Sequence, residues 1–168
     1  MLKFLHNWKM MRRIDRQQSE SFARDLLTRA SYGVLSLAND DGLPYAIPLS
    51  FACEGDIIYI HGATEGTKLN IIVQNPKVVF VCVGQTHVLP QQFSTEYESV
   101  VVTGSARILQ SQNEKRTGLL ALARKYSPDY PLEAESYIDR AIVATAVIAI
   151  TIEEMTAKAK LPKEKKHD

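Results

Sequence analysis

The sequence predicts a fold dominated by β-structure, an antiparallel barrel of about six strands with a few flanking helices. Three observations lead there. Short runs rich in Val, Ile, Leu and Tyr alternate with tight Gly- and Asp-bearing turns over 32–61. A long run over 97–109 carries Gly104 midway, where a bulge would let the strand bend around a barrel. The last run, 144–152, is rich in Val, Ile and Thr and stands where it can close the sheet.

In chain order, residues 19–30 set Phe22, Leu26, Leu27 and Ala30 at helical spacing and leave Glu20, Arg24, Asp25 and Arg29 to solvent. Such a stripe is expected to cover a sheet. A strand over 32–38 meets a hairpin turn at Asn39-Asp40-Asp41-Gly42, whose Asp-Gly step tolerates a positive φ. The return strand over 45–52 contains Pro48 and follows Pro44; their missing amide donors argue for an edge position or a bulge. After the Glu54-Gly55-Asp56 turn a third strand covers 57–61, completing a meander. A short helical turn over 69–73 stops at Asn75-Pro76. The almost wholly apolar strand over 78–83 is expected to be buried on both faces, and 84–95 reads as a loop. Asn113 is placed to cap a helix running to Tyr126, which Ser127-Pro128 ends, and a second short helix fits 132–140. Beyond Thr156, Lys158, Lys160, Lys163, Lys165 and Lys166 make a tail expected to be solvated and disordered. The domain limits are a leader over 1–13 containing Phe4, Leu5 and Trp8, a barrel domain over 14–156 and a basic tail over 157–168.

Composition narrows the partners. A chain of 168 residues with 45% hydrophobic content suits one compact domain. A net charge of +1 gives no global reason to expect a nucleic acid or an acidic polymer, so the expected partner is small. Cys53 and Cys82 each lie in an apolar strand, where reduced thiols act as small hydrophobes. With no signal-peptide core and no membrane-length apolar run, the expectation is a soluble, cytoplasmic protein.

The sharpest local feature is His61-Gly62-Ala63-Thr64-Glu65-Gly66-Thr67-Lys68. Glycines free a backbone to approach an anion, a following helical turn points its amides outward, and a lysine adds full charge. The same residues also suit an ordinary strand-to-helix turn with an exposed lysine. It is not a P-loop, since Thr67 separates Gly66 from Lys68. His61 is open to several readings: metal ligand, haem ligand, proton relay or hydrogen-bonded core residue. No second ligand stands at metal-site spacing, no nucleophile elbow occurs, and no Gly-x-Gly-x-x-Gly follows a strand. Any nicotinamide is therefore expected to visit and not to reside.

Taken in order, Met11-Arg12-Arg13, Tyr32 to Leu37, Gly42 to Phe51, Ile58 to Ala63 with Gly66-Thr67-Lys68, Asn75 to Val78, Tyr97 to Val101, Gly104-Ser105-Ala106 and Glu114-Lys115 on to Lys125-Tyr126 form a series of matches over about 11–158. In this series the chain resembles the FMN-binding split-barrel superfamily related to pyridoxamine 5′-phosphate oxidase, and most of all its 5-nitroimidazole reductase (Nim) branch. The resemblance implies a six-stranded antiparallel split β-barrel and a homodimer with FMN in grooves between subunits. It implies cofactor contacts from Ala46, Ile47, Pro48, Leu49 and Ser50 on one strand. His61, Gly62, Ala63, Gly66, Thr67 and Lys68 would lie along the ribityl and phosphate end, with Tyr97 and Ser99 on the long later strand. In the Nim branch a histidine at the His61 position is an active-site residue. The implied activity is reduction of a small acceptor, such as a nitroaromatic or quinone, with electrons from NAD(P)H. A non-catalytic flavin binder, a deazaflavin reductase and a haem protein using His61 or His87 share the same barrel. The stretch 84–95, with Gln85, His87, Gln91 and Gln92, matches no family pattern. Pyridoxamine phosphate oxidation is disfavoured, because Trp8 is the one tryptophan and no arginine-rich C-terminal substrate segment follows.

Overall fold

The computed structural model describes residues 11–162, so the expectations for Phe4, Leu5, Trp8, Lys163, Lys165 and Lys166 lie outside the described residues. The strands are β1 (Gln17–Gln18), β2 (Gly33–Ala38), β3 (Pro44–Leu49), β4 (Ala52–Glu54), β5 (Ile57–Gly62), β6 (Lys77–Leu89), β7 (Ser94–Ile108) and β8 (Ala146–Lys160). The helices are α1 (Glu20–Arg29), α2 (Thr67–Gln74), α3 (Gln112–Tyr126) and α4 (Pro131–Ala141). All pairings are antiparallel, in the order β3-β2-β6-β7-β8-β5-β4, with β1 added to β8. The six expected strands are all present, and the two-residue β1 and three-residue β4 make up the eight.

The sheet rolls up because of chain connectivity. Its two outermost strands, β3 and β4, are separated in sequence only by Ser50 and Phe51. Three virtual bonds of ~3.8 Å allow at most about 11 Å between Leu49 and Ala52, so the ends of the sheet must meet. The result is a barrel split between β3 and β4. Its interior holds Leu35, Phe80, Val100, Val102, Ile148 and Ile150, all fully buried. The Phe51 and Phe80 rings meet edge-on with centroids 4.8 Å apart. The apolar stripe of α1, with Ala23, Leu26 and Leu27, joins this core, as do Leu69, Ile71 and Ile72 of α2. A second core lies outside the barrel, where Leu119, Leu122 and Ile138 of α3 and α4 pack on Tyr59, Val147 and Ala149.

Local chemistry sets the boundaries. Ser19 Oγ accepts from the Phe22 amide and caps α1. Gly42, at φ 79°, forms the expected turn between β2 and β3, and its amide bonds to the Asn39 carbonyl. Pro44 and Pro48 sit on an edge strand, as their missing donors require. The register of β7 against β8 shifts between Thr103 and Gly104, the position expected for a bulge. A β-carbon at Gly104 would collide with the Thr151 carbonyl oxygen.

Five expectations need correction. The strand over 78–83 is buried on one face only, with Val78, Phe80 and Cys82 in the core while Val79 and Val81 are half-buried and Val83 is exposed. The segment 84–95 is not a loop: β6 continues to Leu89, the chain turns at Pro90–Gln92, and β7 starts at Ser94. Gln85, Thr86, His87 and Val88 are exposed because this hairpin arm leaves the core, and ladder bonds to β7 hold it extended. Residues 157–160 are not part of a disordered tail, because β8 runs to Lys160 with Ala157 and Ala159 buried and Lys158 and Lys160 facing outward. The return strand is broken, so β3 pairs with β2 while β4 pairs with β5, and no continuous meander forms. Asn113 lies inside α3, whose N-cap position is Ser111.

The break at Ser50 and Phe51 is closed by Tyr126. Its hydroxyl accepts from the Phe51 amide at 2.9 Å and lies 2.9 Å from the Phe51 carbonyl and 2.8 Å from the Ser31 carbonyl, to which its single proton can be given. Phe51 is fully buried, so Tyr126→Phe leaves its amide without a partner. The expected loss is about 1 to 3 kcal/mol, read as a lower urea midpoint at unchanged m-value.

Candidate functional site

The β4–β5 register pairs Ala52 with Tyr59, and continuing it two residues past the break sets Ser50 opposite His61. Both side chains line a cavity of about 700 Å³ between the barrel and the α3–α4 pair. Leu119, Leu122 and Ile138 form its floor, while Tyr126, Tyr130 and Tyr137 form its wall. Arg140 and Thr145 line it as well, and Glu133 enters from the first turn of α4.

His61 stands near the end of β5, opposite Val147, on the outer side of the sheet. Its ring is solvent-accessible, yet the surrounding protein withdraws enough water to lower its pKa below the usual 6.5. The Lys68 ammonium pushes in the same direction. The imidazole is therefore neutral at pH 7, able to donate from one nitrogen and accept at the other.

Gly62 follows, opposite Ala146, and Ala63 lies exposed on the way out of the strand. Gly66 has φ 128°, a conformation that only glycine adopts without strain, and it starts α2 with no side-chain cap. Thr67, the first helical residue, is exposed; its amide and that of Lys68 have no partner among the described residues, whereas the Leu69 amide already bonds to the Gly66 carbonyl. The Lys68 chain folds back over Gly62, where a β-carbon would stand 2.9 Å from Nζ. Lys68 has no hydrogen bond or ion pair among the described residues.

The strand contacts divide by parity. Ala46, Pro48 and Ser50 face outward along β3 and are exposed, whereas Ile47 and Leu49 turn inward against the barrel core. Side-chain contact from that strand can come only from the outward set, and Ile47 and Leu49 act through packing. Tyr97 and Ser99 are not brought to His61. Ser99 pairs with Lys158 and His61 with Val147, eleven residues apart along β8. That is ~36 Å of strand at ~3.3 Å per residue. One chain thus holds two separated sets of the site residues predicted from sequence.

Sequence reasoning missed Tyr130, Glu133, Tyr137 and Arg140. Their spacing of three to four residues is a helical stripe carrying aromatic and charged residues where an apolar one would be ordinary. No group of three or more His, Cys, Asp or Glu side chains that could hold a metal occurs among the described residues, nor does any helix long and apolar enough to cross a membrane.

Comparison with known proteins agrees with this architecture. A solved structure from Bacteroides thetaiotaomicron, described as a candidate 5-nitroimidazole antibiotic resistance protein, is 24% identical, covers 84% of each chain and has a TM-score of 0.73. The flavocytochrome Anf3 from Azotobacter vinelandii is 20% identical over 92% of this chain and 76% of its own, with a TM-score of 0.73. The FAD and heme binding protein from Mycobacterium smegmatis is 22% identical over 89% of this chain and 76% of its own, also at 0.73. At these identities the likeness is one of fold. No curated protein matches the sequence. The family profile described as pyridoxamine 5′-phosphate oxidase matches residues 19–159, nearly the whole described chain, and the protein accordingly belongs to the pyridoxamine 5′-phosphate oxidase-like family.

Proposed function

We propose that this chain is an FMN-dependent oxidoreductase that works as a homodimer and reduces a small acceptor, such as a nitroaromatic or quinone, with electrons from NAD(P)H. The observation that carries this reading is the unpaired Lys68 ammonium beside Gly62 and the uncapped start of α2. A full cation next to the unpartnered amides of Thr67 and Lys68 suits a phosphate monoester. The residues present therefore fit a phosphorylated flavin tail. Outward-facing Ala46, Pro48 and Ser50 add a small, flat strand surface against which a ring system can lie. Flavin supplies the redox chemistry, in which hydride from NAD(P)H and one solvent proton convert a nitro group to nitroso and water.

The chain's own residues do the rest. Lys68 and the α2 amides anchor the phosphate. Neutral His61, between that anchor and the cavity, can donate a hydrogen bond to a developing negative charge without adding a full charge of its own. Association supports the same reading in two ways. Val34, Val81 and Val101 stand side by side on the outer face of β2, β6 and β7, with Val79 two residues from Val81 on the same face; all four are half-buried and belong to neither core, an apolar stripe that a second copy would cover. The separation of Tyr97 and Ser99 from His61 within one chain means that a second copy would have to supply them. A cytoplasmic setting fits two free cysteines, with burial pushing the Cys82 thiol up to about 11.

The purified protein is expected to be yellow, with a flavin spectrum that bleaches when NADH or NADPH is added without oxygen. Bound FMN that neither donor bleaches would remove the reductase reading, and a Soret band in place of the flavin spectrum would remove the cofactor. Lys68→Ala should weaken FMN binding by roughly ten- to a hundredfold, as loss of a charge-assisted contact of ~1.5 to 3 kcal/mol implies, with little change in melting temperature.

His61 should titrate below 6.5 when followed by the NMR shift of its ring protons, and Lys68→Ala should raise that midpoint only in part, since burial is the larger cause. A native pKa below the unfolded value means that the unfolded chain binds more protons as pH falls. The associated stability is present above pH 6.5 and is lost as pH drops through the native value, so His61→Gln should flatten the pH dependence of the denaturation midpoint in that window.

A further inference from the structure

We propose that the α3–α4 cavity is a recognition site for planar aromatic acids, with the ligand's carboxylate held at Arg140 and its ring stacked among Tyr130 and Tyr137. The proposal deepens the reductase reading by naming the class of acceptor, and it rests on that reading for turnover but not for binding.

At about 700 Å³ the space lies within the ~300 to 1,000 Å³ usual for small-molecule sites, and it has their ordinary build of an apolar floor with few polar groups. Tyr130 and Tyr137 are 60% and 66% exposed, and their hydroxyls have no partner among the described residues. Two large aromatic side chains left open on one concave wall are poorly explained by stability, because neither is buried where its area would count. They are well explained by a flat ligand that stacks on them.

Charge fixes the orientation. Arg13, Arg16, Arg24, Arg29, Arg107, Arg116 and Arg124 each contact a carboxylate. Arg140 has only the Ser136 hydroxyl, 2.9 Å from Nη1, and it lines the cavity. Glu133 lies seven residues earlier on the same helix, about 10 Å away along the axis at ~1.5 Å per residue. An anion is thereby drawn to the Arg140 end and repelled from the other. Glu135 and Asp139 of α4 pair with Arg116 of α3, and neither forms an ion pair with Arg140.

The test is calorimetric titration of the purified full-length protein, with and without its flavin, using 4-nitrobenzoate and its neutral analogue 4-nitrobenzamide. Arg140→Gln should weaken 4-nitrobenzoate about tenfold and leave 4-nitrobenzamide within about twofold, the signature of a charge-assisted contact. Tyr137→Ala should weaken both ligands by a similar factor. Both residues are exposed, so circular dichroism should be unchanged. Absence of 4-nitrobenzoate binding, equal weakening of both ligands by Arg140→Gln, or displacement of 4-nitrobenzoate by added FMN would each overturn the proposal. Binding that follows the expected pattern in a protein whose flavin no nicotinamide bleaches would sink the reductase reading and leave this site standing.

Discussion

The rest of the structure depends on one buried peptide. Where β3 gives way to β4 the chain leaves both ladders, and the residue between them, Phe51, is fully buried with its backbone paired in neither. A buried amide without a partner costs more than an ordinary hydrogen bond returns, so the fold must meet it from elsewhere. Tyr126 does so from the last turn of α3, and its neighbour Lys125 places Nζ 3.7 Å over the Phe51 ring while donating to the Leu27 carbonyl. Burial lowers the Lys125 pKa, the direction expected for an ammonium drawn partly out of water. These contacts fix the C-terminal end of α3 to the barrel seam and to the end of α1. The Ser127 to Tyr130 turn then sends α4 back along α3, and the cavity is the space that remains.

Legibility in the sequence followed the strength of each local signal. The runs over 32–38 and 57–61 and the stripe of α1 were readable because apolar residues recur at the period of their element and turns or caps bound them. The arm over 84–89 was not, because a hairpin that leaves the core has no buried face to impress a pattern; its order comes from pairing with β7 and from Glu98, whose carboxylate takes two bonds from Arg29 and one from the Gln85 amide. The end of β8 was missed for a related reason. Ala157 and Ala159 fill the interior positions, and alanine is a weak strand signal, so alternation with Lys158 and Lys160 looked like a tail. At the site, the His61 to Lys68 segment was legible because glycines and a lysine punctuate it. The wall from Tyr130 to Arg140 was not, because it matters only once α3 is pinned and α4 lies over the end of β5.

Net charge conceals how the charges are used. Acids and bases nearly cancel, and most of the arginines are tied to neighbouring carboxylates on the surface, contacts worth only ~0 to 1 kcal/mol each. Arg29 with Glu98 is the stronger exception, a bidentate pair whose acid side chain is 13% exposed. The effect of this pairing is subtractive. It removes carboxylates from circulation and leaves Lys68 at one end of the site and Arg140 in the cavity without acidic partners. A nearly neutral protein can thus present local cationic points, Lys68 and Arg140 among them, and small anions sense those points while the overall charge draws in no polyanion.

The division of predicted site residues between two ends of β8 has a thermodynamic consequence for the proposed function. If a ligand contacts Lys68 of one copy and Ser99 of another, it binds the pair better than it binds either chain alone, and mass action then requires that it stabilise the pair. Cofactor affinity and subunit affinity cease to be separate quantities, since each rises with the other by the same coupling factor. In such a pair the half-buried valines of β2, β6 and β7 would set the size of the intrinsic association, and the proposed phosphate anchor would set how much the ligand adds to it. A substitution among those valines would then lower cofactor affinity without touching the cofactor, a long-range effect that needs no conformational change if the site is divided between two chains as proposed.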